Sequence, residues 1–159
     1  MMPELTHTAQ AYALGDRFLE GLVGDFTDAD WQVADPAGHN PRWIVGHLAL
    51  MRTKVAALAG LPAAAPPWEA AFGRGSACTE VPAELDPRTL VQAFHDAHAA
   101  LAGRWDAVTE VDLAKPLGRT LPDGSDTVGG AIRFLAWHEA YHLGQLGLLR
   151  RLAGKPGRA

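Results

Sequence analysis

The chain has 159 residues, of which 48% are apolar and 20% charged. That balance suits one globular domain with a real core and excludes a disordered or fibrous chain. The net charge is −4 and no dense Lys/Arg run occurs, which excludes a nucleic-acid surface.

No apolar run is long enough to span a bilayer, and Met1 to Gln10 lacks a basic segment followed by an apolar one. No membrane association and a cytoplasmic setting are therefore expected. Cys78 is the single cysteine and cannot form an internal disulfide, which fits a reducing compartment. It lies in a Gly-rich stretch without a nearby histidine and reads as an ordinary free thiol.

Four segments carry a helical period, and none carries convincing strand alternation. The first runs from about Thr6 to Gly24, with Leu5, Ala9, Tyr12, Leu19, Leu22 and Phe26 on its apolar face. Asp25 to Trp31 reads as the helix end and one short turn. The second helix starts at Asn40 as N-cap with Pro41 at the first helical position. It ends near Ala59, where Gly60 stops it and Pro62 follows. Trp43, Ile44, Leu50, Met51 and Leu58 lie within about 60° of His47 on a helical wheel, so His47 sits inside the buried stripe.

Residues 60 to 85 are rich in Pro, Gly and Ala and form a long connection, pinned by the packing of Trp68 and Phe72. The third helix begins with Asp86 as cap and Pro87 in its first turn. Leu90, Phe94, Leu101, Trp105 and Val108 form its face. His95 and His98 read as surface or boundary residues, with His98 able to approach a central cavity. The 109–126 stretch, with Pro116, Gly118 and Pro122-Asp123-Gly124-Ser125, reads as a loop with a tight turn. The fourth helix runs from about Thr127 to Ala153. Ala131, Phe134, Leu135, His138, His142, Gln145, Leu149 and Leu152 share one stripe, and Gly154 and Pro156 follow. The expected fold is all-α: a four-helix bundle over residues 1–159 as a single domain, with a long crossover connection between helices 2 and 3.

The chemistry concentrates in Trp137-His138-Glu139-Ala140-Tyr141-His142-Leu143-Gly144-Gln145. Positions four apart on a helix share a face, roughly 5–6 Å between Cβ atoms, which lets two imidazoles reach one ion. The string is also H-E-x-x-H, the zinc-peptidase signature with its glutamate as general base. That reading needs a third ligand, usually downstream, yet no His, Asp or Glu follows His142. The longer form fails as well, because Gln145 and Leu148 stand where Gly and His are required. A better third ligand lies upstream, at His47. A single core histidine is commonly satisfied by a backbone carbonyl. Three inward histidines on two helices favour a metal, as three neutral nitrogen ligands with one open position.

The segment Asn40-Pro41-Arg42-Trp43-Ile44-Val45-Gly46-His47-Leu48-Ala49, taken with His138-Glu139-Ala140-Tyr141-His142-Leu143-Gly144-Gln145, resembles the DinB/YfiT-like superfamily of bacterial four-helix bundles. The resemblance covers nearly the whole chain in helix order and spacing, with H-x-x-x-H-x-G-Q as its most specific element. It implies a divalent metal ion, zinc or nickel, on residues matching His47, His138 and His142, together with a crossover topology and, commonly, a homodimer. It also implies two kinds of activity: S-transfer with a low-molecular-weight thiol of the bacillithiol type, and thiol-dependent isomerisation of the mycothiol type.

The leading expectation is thus a metal-dependent transferase that uses a small thiol on small-molecule electrophiles. A metal-dependent hydrolase and a non-enzymatic, stress-related metal-binding bundle remain as alternatives. Gln145, Tyr141 and Glu139 are the candidates for a catalytic role. Gln145 is placed to orient a ligand or to bond between helices, Tyr141 to line a pocket or to pack, and Glu139 reads as a polar residue at the edge of the buried stripe.

Overall fold

The computed structural model describes residues 2–62, 64–73, 75–79 and 81–158. All regular elements among them are helices: α1 (Pro3–Val23), α2 (Pro41–Leu58), α3 (Glu69–Phe72), α4 (Pro87–Ala102), α5 (Glu110–Ala114) and α6 (Val128–Leu152). None of these helices is long and apolar enough to cross a membrane.

The starts of the long helices follow their capping chemistry. The Asn40 side-chain oxygen accepts the N–H of Trp43 at 2.9 Å, Asp86 that of Arg88 at 2.9 Å, and Thr127 that of Gly130 at 3.2 Å. Each satisfies an N–H that the helix leaves unpaired and contributes about 1 kcal/mol. Gly60 and Gly154 adopt positive φ, +85° and +77°, and stop α2 and α6.

Helix α2 packs most extensively on α4, and α1 on α6; α2 also meets α6, and α1 meets α4. Two buried clusters fill the interior. One includes Leu19, Leu22, Ile44, Leu48, Phe94 and Leu146. The other includes Leu5, Tyr12, Val55, Leu101, Trp105 and Ile132.

Three details differ from the expectation. The third long helix stops at Ala102, because Gly103 ends it, and Trp105 and Val108 reach the core from a separate 3-10 turn instead. The 109–126 stretch contains α5, started by a reciprocal Thr109–Asp112 capping box, before a hairpin-like arm closed by an isolated bridge between Pro116 and Thr127. Leu152, placed on the buried stripe, is exposed at the end of α6.

The 60–85 connection is anchored as its aromatics suggest. Phe72 is fully buried, and the ring of Trp68 meets it edge-on with centroids 5.6 Å apart. Phe72 lies directly against α2 at Gly46, where a Cβ would collide with its ring. That close approach brings the α3 backbone to the neighbouring residue, His47.

Candidate metal centre

His47 comes from α2, and His138 and His142 from successive turns of α6. The Nε2 of His138 lies 3.4 Å from Nε2 of His47 and 3.1 Å from Nε2 of His142. One ligand atom from each of the three falls within 4.8 Å of the others. Nitrogens bound to a tetrahedral ion with bonds of about 2.0–2.1 Å sit about 3.3–3.4 Å apart. The 3.4 Å pair matches that edge length, the 3.1 Å pair is slightly shorter, and the third pair lies within 4.8 Å.

The opposite ring edges are held. Nδ1 of His47 donates to the carbonyl of Phe72 at 2.7 Å, and Nδ1 of His142 donates to the side-chain oxygen of Gln145 at 2.6 Å. With the proton on Nδ1, each ring presents the lone pair of Nε2 to the common point. Metal-binding histidines are commonly oriented by such a carbonyl or side-chain acceptor. Nδ1 of His138 is buried without a partner among the described residues. With Nε2 of His47 and His142 both acceptors, a proton on His138 Nε2 can serve only one of them, so the cluster is a poor hydrogen-bond network but a good ligand set. The residues therefore fit a divalent ion.

The electrostatics agree. Burial lowers the pKa of His47. Burial and then the nearby His47 bring His138 down to about 4. Burial, followed by His138 and His47, brings His142 down to about 3. All three are neutral near pH 7, the state a metal ligand requires.

The triad forms part of the wall of a cavity of about 910 Å³, which runs from Trp43 and Met51 on α2 to Phe134 and Leu135 on α6, under the 117–122 arm. The indole of Trp43 stacks on the His47 ring with centroids 4.8 Å apart. Lys54 and Arg119 reach the cavity, and no carboxylate side chain lines it among the described residues.

A family model described as the DinB superfamily matches residues 12–146, a span that includes all three histidines. The chain belongs to the DinB superfamily. The His47/His138/His142 cluster thus stands within the DinB match, as a group that could hold a metal ion. No curated protein matches the chain.

The other residues singled out in the DinB chain fall in distinct places. Gln145 supports the triad through His142, and its amide nitrogen lies 3.5 Å from the Tyr141 hydroxyl. Tyr141 is exposed, stacked on Trp137 with centroids 6.2 Å apart, and does not line the cavity. Cys78 does line it, although no sequence spacing links that residue to the histidines. His95 pairs with Asp16 at 2.7 Å, and neither His95 nor His98 lines the cavity.

Glu139 is not an edge residue. It is 4% exposed and forms a two-pronged ion pair with Arg52, itself fully buried. The guanidinium carbon lies 4.9 Å from the Tyr12 ring centroid and 4.2 Å from that of Phe94, and Nη2 also donates to the Tyr12 carbonyl at 2.7 Å. Glu139 lines the groove between α1 and α6 and not the cavity that the triad walls, so it is in no position to act as a base there. Arg52 escaped the sequence reading. Nothing in the sequence singled it out, because α2 also carries Arg42, Thr53 and Lys54.

Proposed function

We propose that residues 1–159 form one DinB-type four-helix bundle, with the 60–85 connection crossing over between its second and third long helices. It holds zinc or nickel on His47, His138 and His142. In this reading it transfers a small thiol, of the bacillithiol or mycothiol type, to a small electrophile in a cytoplasmic setting. The observation that carries the proposal is the convergence of three neutral Nε2 atoms on the wall of a 910 Å³ cavity with room for both reactants.

A divalent ion at the triad would stabilise the thiolate form of a bound thiol. The chain's own residues bind and orient. Phe72 and Gln145 fix two of the ligand rings. Trp43 and Met51 provide apolar wall for the electrophile, and Arg119 favours anionic groups on either reactant, whereas Lys54 is already paired with Glu69 at 3.0 Å.

Zinc- or nickel-loaded protein incubated with bacillithiol and monochlorobimane should form the conjugate faster than metal-free protein. A rate equal to the metal-free control would remove the transferase reading. Turnover of ester probes without thiol, abolished by chelation, would replace it with hydrolysis.

We also propose a homodimer formed through the α1/α6 face. A shallow apolar groove of about 390 Å³ runs between these helices, floored by Gly15, Gly144 and Gly147. Leu14 and Leu148 are 50% and 53% exposed on the same two helices. A second copy of the same face would cover both. Sedimentation equilibrium should give twice the chain mass, with Leu14→Glu shifting it to the monomer. A wild-type monomer at tens of micromolar would defeat the idea.

A further inference from the structure

The outer face of α6 carries three aromatic rings in register. Phe134, Trp137 and Tyr141 stand at i, i+3 and i+7, the spacing that sets side chains one above another on a helix. The rings of Phe134 and Trp137 have centroids 5.7 Å apart at 40°, and those of Trp137 and Tyr141 6.2 Å apart at 26°. Trp137 is 62% exposed and Tyr141 54%, so the core does not require rings of this size here. A contiguous aromatic surface left open in this way marks a place where something docks.

The rings border a depression. Pro122, Asp123, Arg133, Phe134 and Trp137 enclose a hollow of about 590 Å³. Phe134 and Pro122 line the triad's cavity as well, so the hollow and the cavity meet along a shared edge. The Phe134 ring lies 28° from parallel with that of His138, one turn along α6, with centroids 6.4 Å apart. The α1/α6 groove assigned to a second copy shares no lining residue with this hollow, which opens instead toward the cavity. That continuity favours a small molecule as its occupant. Indole and phenyl faces carry negative π charge. With Arg133 as the cation on the rim, the hollow suits a planar, electron-poor ring.

We infer that this hollow is the subsite for the electrophile, which carries a planar, electron-poor aromatic ring. The inference deepens the thiol-transfer reading above and rests on it. The ring lies on Trp137 against Phe134 and Pro122, with its reacting carbon at the edge that the hollow shares with the cavity. There the S–H bond breaks and its proton goes to water. Sulfur bonds to the carbon as the bond from that carbon to the leaving group breaks, and the group departs with the electron pair. R–SH and C–Y become R–S–C, Y⁻ and H⁺, with no oxidant or reductant required. Trp137 and Phe134 set specificity, and their effect falls on substrates that bear a ring.

Two electrophiles with the same reacting carbon test this: 2-chloroacetamide and its N-(4-nitrophenyl) derivative. With bacillithiol, the zinc-loaded full chain should favour the aryl compound by about 10-fold in kcat/KM, each value divided by its uncatalysed rate, which is the worth of one good stacking contact. Trp137→Leu should bring that ratio close to one, and Trp137→Phe, which keeps a ring, should retain most of it. Trp137 lies largely outside the core, so neither variant threatens the fold. A ratio unmoved by Trp137→Leu overturns the inference. Binding gives a readout free of the chemistry. The unreactive N-(4-nitrophenyl)acetamide should shift the indole N–H resonance that Trp137→Leu removes, and should bind that variant about 10-fold more weakly. If it does so while no electrophile is conjugated, the ring-binding subsite stands and only the transfer reading falls. If the resonance stays in place, the subsite falls. If it stays in place and Trp137→Leu also converts a dimer to a monomer, the rings belong to a second copy and the inference is overturned.

Discussion

His142→Ala should empty the site while leaving the fold intact. Purified wild type, loaded and dialysed, should carry close to one zinc or nickel per chain by elemental analysis, and the variant should carry almost none. The affinity loss should exceed the roughly 10–100-fold expected for removing a residue that only supports a ligand. Gln145→Ala supplies that reference: it deletes the acceptor 2.6 Å from His142 Nδ1 but leaves all three Nε2 atoms in place.

Stability distinguishes a metal site from ordinary core packing. Zinc at 100 times its Kd stabilises the folded wild type by about 2.7 kcal/mol through mass action, and His142→Ala should show no such rise. Without metal the variant should melt no lower than wild type. The reason is that Nε2 of His47 and Nε2 of His142 are both acceptors, and the one proton that His138 can offer from Nε2, 3.4 and 3.1 Å from them, satisfies only one of the two. If His142 were a packing residue, its removal would destabilise the metal-free protein and zinc would change neither melting curve. Acid acts in the same direction. His138 and His142 titrate near 4 and 3 when folded, against about 6.5 when unfolded. The unfolded chain therefore binds more protons below pH 6.5, and metal-free stability falls as pH drops from there toward 4.

The histidines were legible in the sequence because each lies on a helix with a clear start. Asn40, Asp86 and Thr127 announce their helices, and once the registers are set the i, i+4 pair and His47 point the same way. What supports the triad was less legible. The partner of His47 is a backbone carbonyl, and the carbonyl of Phe72 looks like any other in a sequence. Only Gly46, the gap that admits Phe72, leaves a trace. Helix α5 was hidden because five residues hold too little period to register, and the nearby Pro116 and Gly118 signal a loop. His39, which also lines the cavity, lies in the connection before α2, where no helical wheel assigns a direction. The Arg52–Glu139 pair was missed for a different reason. A wheel seeks one apolar stripe, whereas α2 is buried on several sides: Leu48 and Ala49 as well as Leu50, and Val55 as well as Arg52.

That ion pair carries the largest expected effect on stability. Glu139→Ala leaves the Arg52 guanidinium at 0% exposure without its carboxylate, and Arg52 Nη1 already lacks a partner among the described residues. Breaking a buried pair from one side costs about 3–5 kcal/mol, and at 2–4 °C per kcal/mol for a chain of this size the melting temperature should fall by roughly 10 °C. Arg52→Met should cost a comparable amount by stranding the carboxylate. Gly15→Ala should destabilise through the same pair, because a Cβ there would press into the Glu139 carboxylate. The double variant Arg52→Met, Glu139→Leu should regain most of the loss. Apolar groups of similar volume need no desolvation to be repaid, so coupling between the two sites should be strong and of opposite sign to the single effects. Metal binding then reveals what the pair does beyond stability. Arg52 and Glu139 join α2 to α6, the two helices that supply the ligands, and Glu139 immediately follows His138. A double variant as stable as wild type but weaker for zinc would mean the charges set the spacing between those helices. Equal zinc affinity would confine the pair to specifying how Tyr12, Phe94 and their helices pack.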